Sequence, residues 1–236
     1  MRLDKFISTQ TAYTRSDIKR LVKSGVVLVD GTVAKSCDIK IDPEKNEVLV
    51  SGEKVCYKKH VYIMLNKPKG VVSATTDREL PTVVDLLGNN FSHRELFPAG
   101  RLDRDTTGFV LLTDDGDFSH KILSPKNHVP KTYEFRLDSP APENAQEQFE
   151  KGVVLGDGTA CLSAKVTFSQ DRLSGEVVIR EGMYHQIKRM FASLGCHVTE
   201  LNRIKMGNLE LDKTLGFSQW RELTPEELDL IQSAKM

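Results

Sequence analysis

A carboxylate flanked by two arginines stands in the run Pro98-Ala99-Gly100-Arg101-Leu102-Asp103-Arg104-Asp105-Thr106-Thr107-Gly108, directly ahead of the apolar stretch Phe109-Val110-Leu111-Leu112. Pro98 to Gly100 make a small-residue turn, and Asp105 to Gly108 make a second. Asp103 is thereby confined to a tight loop at the end of a buried strand. Flanking cations favour the ionised form of an acid, and a held carboxylate can act as nucleophile or base. An Asx turn dressed with salt-bridged arginines has the same composition, so the loop alone does not decide between the two.

Two further segments offer partners for such a carboxylate. In Tyr184-His185-Gln186-Ile187-Lys188-Arg189-Met190-Phe191, the residues Ile187, Met190, Phe191 and Leu194 recur at helical spacing. On that helix Lys188 sits at the edge of the apolar stripe and Arg189 points to the opposite side. Lys188 is the better placed of the two to reach a site beside the core, or else to lie along apolar surface as a snorkelling side chain. In Lys131-Thr132-Tyr133, the alternation of Tyr133, Phe135 and Leu137 predicts a strand with Tyr133 on its apolar face. By pattern alone a tyrosine there is a core aromatic.

Other chemistries find no support. Cys37, Cys56, Cys161 and Cys196 are far apart and form no Cys-x-x-Cys pair, which argues against a zinc site or disulfide framework and for a reducing cytoplasmic setting. The six histidines include no His-Glu-x-x-His arrangement, so no metal is expected. Asp114-Asp115-Gly116-Asp117 starts like a calcium loop but lacks its later Gly and Glu, and reads as a turn and helix cap. No apolar run approaches the roughly 20 residues that span a bilayer, so no membrane partner is expected. The start Met1-Arg2-Leu3-Asp4-Lys5-Phe6 carries an acid and no long apolar core, unlike a secretory signal.

The elements that must position these groups divide the 236 residues into a small domain at 1–59 and a large one at 60–236. Net charge is zero, yet residues 1–59 hold 12 Lys and Arg against 8 Asp and Glu, leaving the body mildly acidic. A basic unit on an acidic body suits a docking module for a polyanion. Within it Leu3, Phe6 and Ile7 mark one short helix. A second starts at the N-cap Thr14, with Asp17 completing part of a capping box and Gly25 ending it. Arg15, Lys19 and Lys23 form one row along the flank of its apolar face Ile18, Leu21 and Val22. That row is either a solvated face or a phosphate grip. Val26 to Val29, Glu47 to Val50 and Val55 to Tyr57 read as strands, with a hairpin turn at Asp30-Gly31.

In the large part, Val61 to Leu65 and Val71 to Ala74 predict a hairpin about the turn Asn66-Lys67-Pro68-Lys69-Gly70, whose lysines face a polyanion or keep the turn soluble. Thr82 caps a helix to Leu87, and Phe118 to Leu123 is helical up to Pro125, followed by Lys126 and His128. Strands are expected at 153–155, 160–168, 175–180, 197–201, 204–206 and 220–223. Helices are expected at 143–151 and after Thr224-Pro225. Strands predominate without βα alternation, which predicts an α+β fold with a mostly antiparallel sheet and a cleft across its middle.

Gly100-Arg101-Leu102-Asp103 with Asp105-Thr106-Thr107-Gly108 resembles the catalytic signature of RNA pseudouridine synthases, in the branch named for the ribosomal small-subunit enzyme. Asn66-Lys67-Pro68-x-Gly70, Lys131-Thr132-Tyr133 and Tyr184-His185-Gln186-Ile187-Lys188-Arg189-Met190 resemble further motifs of that family. The order helix, basic helix, Gly, strand, Asp-Gly is similar to the αL RNA-binding module first recognised in a small-subunit ribosomal protein. The resemblance implies Asp103 as catalytic carboxylate, Lys188 as its charge partner where many relatives have Arg, and Tyr133 packed against the target uracil. It implies Arg101 filling the gap left by the flipped nucleotide, and Arg15, Lys19, Lys23 and Lys67 contacting RNA. The implied reaction, uridine to pseudouridine, oxidises nothing and loses no group, so no cofactor is expected. The implied substrate is 16S ribosomal RNA, free or within a partly assembled small-subunit particle, acted on by a monomer. A sister enzyme of 23S RNA and a non-catalytic assembly factor are the alternatives.

Overall fold

The computed structural model describes residues 1–124, 127 and 129–234; the expected helix stop at Pro125, with Lys126 and His128, lies outside them. The chain forms two compact units, residues 1–61 with 87–96, and residues 62–86 with those from 97 onward. The return of 87–96 to the first unit left no mark in the sequence.

The first unit runs α1 (Leu3–Gln10), α2 (Arg15–Lys23), β1 (Val27–Val29), β2 (Thr32–Val33), β3 (Val48–Val50) and β4 (Glu53–Lys54), with its sheet in the antiparallel order β2-β1-β3-β4. The capping box at α2 is complete: Asp17 N–H donates to Thr14 Oγ1 at 3.2 Å and Thr14 N–H donates to Asp17 Oδ2 at 3.0 Å. Capping fixes the rotation of this helix. Ile18 and Val22 then enter the core beside Leu3, Phe6, Ile7, Val27 and Val48. Arg15, Lys19 and Lys23 are left exposed along the flank of that face. The last strand pairs through Glu53 and Lys54 rather than through the expected 55–57.

The second unit continues with β5 (Tyr62–Lys67), β6 (Phe97–Pro98), β7 (Thr107–Thr113), α3 (Gly116–Leu123), β8 (Lys131–Leu137), α4 (Ala145–Lys151) and β9 (Lys165–Phe168). It ends with β10 (Ser174–Ile179), α5 (Gln186–Ser193), β11 (Val198–Met206), β12 (Leu209–Glu210), β13 (Trp220–Glu222) and α6 (Pro225–Gln232). One nine-stranded sheet has the order β13-β5-β7-β11-β8-β10-β9, with β6 added to β7 and β12 to β11. Only β7 and β11 run parallel among its described pairs. This is the α+β, mostly antiparallel architecture expected. Strand β7 is buried along its whole length, as its unbroken apolar run requires. Strand β8 alternates, turning Tyr133, Phe135 and Leu137 inward and Glu134 and Arg136 outward. Phe135 and Phe149 close on Phe191 of α5 with ring centroids 4.6 Å and 5.0 Å apart, fixing that helix against the sheet.

Four further expectations are corrected. Residues 71–74 form no strand; apart from one bridge of Val72 to Thr82, the segment reaches the Asp103 loop through the Ser73 hydroxyl. Residues 153–155 form only a bridge, Val154 to Ala160. The two short strands read near 197–206 are one strand with two register shifts, between Val198 and Glu200 and between Arg203 and Lys205. Thr82 does bond reciprocally with Asp85, but a 3-10 stretch (Asp85–Phe91) follows rather than an α-helix.

Gly108 lies where β7 meets β11, at φ +99°. A Cβ there would fall 2.3 Å from Arg203 O and 2.5 Å from Asn202 Oδ1. Both backbone strain and collision oppose any side chain. Gly108→Ala is expected to lower unfolding free energy by about 2–4 kcal/mol, read from urea denaturation; an unchanged midpoint would contradict the close approach.

Candidate active site

Asp103 lies in the loop between β6 and β7, and the segment after β5 holds that loop. Ser73 brackets Leu102: the Leu102 N–H donates to Ser73 Oγ and the Leu102 carbonyl accepts from it, both at 3.0 Å. Gly70 N–H donates to Arg104 O at 2.8 Å, and Thr106 N–H closes a turn on Asp103 O at 3.1 Å. Lys67 donates from Nζ to the carbonyls of Pro68 (3.0 Å), Arg104 (3.2 Å) and Thr106 (2.8 Å). Its side chain has no exposed surface. This corrects the reading of Lys67 as an RNA-facing cation: its ammonium is turned inward and spent on the backbone of the Asp103 loop. Burial pushes Lys67 down to about 8, with Arg203 and Lys188 adding repulsion, against the opposing pull of Asp105 and Asp103.

The charge partners of Asp103 come from α5 and its entry. Lys188 Nζ is 3.1 Å from Asp103 Oδ2 and 2.6 Å from Asp105 Oδ1. His185 Nε2 is 3.6 Å from Asp103 Oδ1. Burial opposes the charge on Lys188, but its bonds to Asp105 and Asp103 outweigh burial and raise its pKa. Burial likewise opposes the charge on Asp105, and the bond to Lys188 prevails, holding that carboxyl below its usual range. One ammonium thus ties together two carboxylates of the loop. Arg101 and Arg104, expected to flank the charge, are exposed at the loop surface.

Tyr133 on β8 is 6% exposed, and its neighbour across the ladder is Arg203 of β11. Arg203 is fully buried. Its Nε donates to Phe109 O at 2.7 Å and its Nη1 lies 3.5 Å from Tyr133 Oη. Its Nη2 has no hydrogen-bond partner among the described residues. Lys131, also buried, is pushed down to about 8 by burial and then by Arg203. Sequence reasoning missed Arg203. The available signal was its place in Leu201-Asn202-Arg203, where alternation puts a charged residue on the same face as a leucine.

Asp103, Tyr133, Lys188 and Arg101 line one cleft, with Leu102 and Ile187 supplying apolar walls. Arg15, Lys19 and Lys23 belong to the first unit. A larger hollow of about 630 Å³ involves the opposite face of β8, where Glu134, Glu176 and Glu200 outnumber Lys69 and Arg136. That balance suits a polyanion poorly, so the smaller cleft is the candidate site. Its arrangement supplies an oriented carboxylate, a phenol above a buried guanidinium, and walls that exclude water.

Lys67 gives the site a signature in pH. Its pKa is depressed on folding, so between about pH 8 and 10.5 the unfolded chain binds a proton that the native chain does not. Stability from this group therefore rises with pH across that window. Relative to Lys67→Met, wild type is expected to gain on the order of 2 kcal/mol between pH 7.5 and pH 10, measured by denaturant unfolding at each pH. A flat difference would mean that Lys67 titrates normally.

Residues 61–193 match the family model described as RNA pseudouridylate synthase, and residues 1–45 match the S4 domain. An RNA pseudouridine synthase of Bacillus subtilis that is itself uncharacterised is 44% identical, with 98% of each chain covered. The ribosomal small subunit pseudouridine synthase A of Escherichia coli is 42% identical, covering 97% of this chain and 98% of that one. The crystal structure of a pseudouridylate synthase superposes with a TM-score of 0.69 at 39% identity, over 98% of this chain and 99% of the other. This chain is a member of the RNA pseudouridine synthase family of isomerases, carrying an S4 domain ahead of its synthase domain.

Proposed function

We propose that the protein converts one uridine of 16S ribosomal RNA to pseudouridine, with Asp103 as the catalytic carboxylate. One observation carries this reading. Three separate segments bring Asp103, Tyr133 and Lys188 into a single cleft, in a chain similar over nearly its full length to a small-subunit enzyme.

The reaction breaks the N1–C1′ bond, turns the uracil in place, joins C5 to C1′, and moves a proton from C5 to N1. The base must first leave its stack, because the reacting atoms are otherwise out of reach. Asp103, held by its backbone and paired with Lys188, either adds to the electron-poor sugar carbon or takes the 2′ proton toward a glycal. Lys188 fixes its charge and orientation. Tyr133 stacks on the uracil and helps remove the C5 proton. Arg101, exposed on the cleft rim, occupies the gap in the RNA. Leu102 and Ile187 keep water from the detached base. Arg15, Lys19 and Lys23 contribute phosphate contacts, which position the RNA without reading its bases. The monomeric enzyme works in the cytoplasm on naked or partly assembled small-subunit RNA.

Release of tritium from small-subunit RNA labelled at uridine C5 tests the assignment. Wild type is expected to release label. Asp103→Asn is expected to bind the RNA with wild-type affinity and to release label slower by roughly three orders of magnitude or more. Lys188→Met is expected to lose more rate than Lys188→Arg, which keeps the charge. Release from large-subunit RNA alone would reassign the substrate, and binding without release from either would leave an assembly factor. Replacing Arg15, Lys19 and Lys23 with Ala should weaken RNA binding and make the slope of log affinity on log salt shallower by about 2, with the rate at saturating RNA unchanged.

A further inference from the structure

The turn that leads into α5 carries an aromatic side chain for which the proposed chemistry has no use. Tyr184 is 72% exposed and stands between Met183 and His185, both of which line the Asp103 cleft. Its ring stacks on the His185 imidazole with centroids 3.9 Å apart and planes 17° from parallel. One face of the phenol is covered in this way and the ring is otherwise open to solvent. His185 in turn meets Asp103, its Nε2 lying 3.6 Å from Oδ1. The stack therefore runs from the proposed catalytic carboxylate outward to solvent.

The backbone holds this arrangement under strain. His185 has φ 49° and ψ 33°, a left-handed conformation that a non-glycine residue adopts at a cost. The surrounding turn is over-determined. Gln186, buried, accepts from Met183 N–H at 3.1 Å and donates to Glu181 Oε1 at 2.6 Å. Arg189 donates to the Tyr184 carbonyl at 3.4 Å and pairs with Asp157 at 2.5 Å. An exposed tyrosine serving only as surface needs none of these restraints. A rigid ring, backed on one side and open on the other, is what a stacking surface for a nucleobase requires.

We infer that Tyr184 is a stacking platform for a base next to the target uridine, with His185 as its backing and its link to Asp103. The inference rests on the proposed action on RNA and adds a determinant of binding to it. When the target leaves its stack, the adjacent base loses a neighbour, and the open face of Tyr184 replaces that neighbour. Stacking tolerates any base, so the contribution is affinity and placement rather than sequence reading.

The test compares wild type, Tyr184→Phe and Tyr184→Leu for affinity toward unmodified small-subunit ribosomal RNA. It also compares them for fluorescence quenching of 2-aminopurine placed on either side of the uridine that wild type isomerises. Because the side chain is exposed, equal thermal midpoints are the expected control for folding. Tyr184→Leu keeps apolar bulk without a π-face. It is expected to bind roughly tenfold or more weakly, to raise KM with little change in kcat, and to lose the quenching on one side. Tyr184→Phe is expected to retain all three. Wild-type affinity and quenching in Tyr184→Leu, or an equal loss in Tyr184→Phe, would overturn the inference. If wild type isomerises no uridine, the proposed function fails by the tritium assay, while the contrast between Phe and Leu in RNA affinity still decides the role of the ring.

Discussion

The geometry of the cleft depends on a buried ammonium. Lys67 has no exposed surface and gives its three protons to the carbonyls of Pro68, Arg104 and Thr106. A loop ordinarily satisfies its backbone with water and remains mobile. Here the loop's carbonyls are satisfied from below by a side chain rooted in the end of β5, which pairs with β7 directly beyond the loop. Ser73 and Gly70 add two further points of attachment. The carboxylate of Asp103 is thus carried on a segment that behaves as part of the sheet.

Burying that cation is costly, and the depression of its pKa records the cost. Lys131 and Arg203 are buried close by, so the floor of the site concentrates positive charge. Two carboxylates, Asp103 and Asp105, stand opposite, and Lys188 bridges them from α5. The cations of the second unit are therefore divided by task. Those beneath the cleft hold backbone and aromatic rings in place, and Lys188 and Arg101 line the cleft itself. The first unit uses its cations differently. A complete capping box sets the rotation of α2, and the row Arg15, Lys19 and Lys23 stays in solvent.

The centre of the nine-stranded sheet is where these requirements meet. β7, β11 and β8 are consecutive in it, and β7 with β11 forms its parallel pair. Gly108 permits that approach, and Arg203, one strand away from Tyr133, lies directly beside it. Phe191 anchors α5 on the same face through Phe135 and Phe149, which brings Lys188 over the loop. Packing, charge and backbone hydrogen bonding thus converge on a few residues contributed by segments more than eighty positions apart.

Much of this was legible in the residues alone. The turn signals around Asp103, the helical spacing that set Lys188 at the edge of its stripe, and the alternation that turned Tyr133 inward are all local patterns. Local patterns determine which side of an element a residue occupies, because the periods of helix and strand are fixed. The α+β character and the exposed row on α2 followed from the same periods. What the sequence could not determine was the destination of each side chain once the elements packed. Lys67 stood in a polar turn that reads as solvent-facing, and only the approach of the Asp103 loop drew its ammonium inward. Val71 to Ala74 had the composition of a strand, yet within it the Ser73 hydroxyl serves that loop instead. Arg203 as a buried cation beside Tyr133, and Asp105 as second partner of Lys188, depend on strand order and on the placement of α5 over the sheet. By itself the sequence determined the elements and their faces; the tertiary structure alone decided which charges are buried and what they hold, because burial is a property of long-range packing rather than of spacing along the chain.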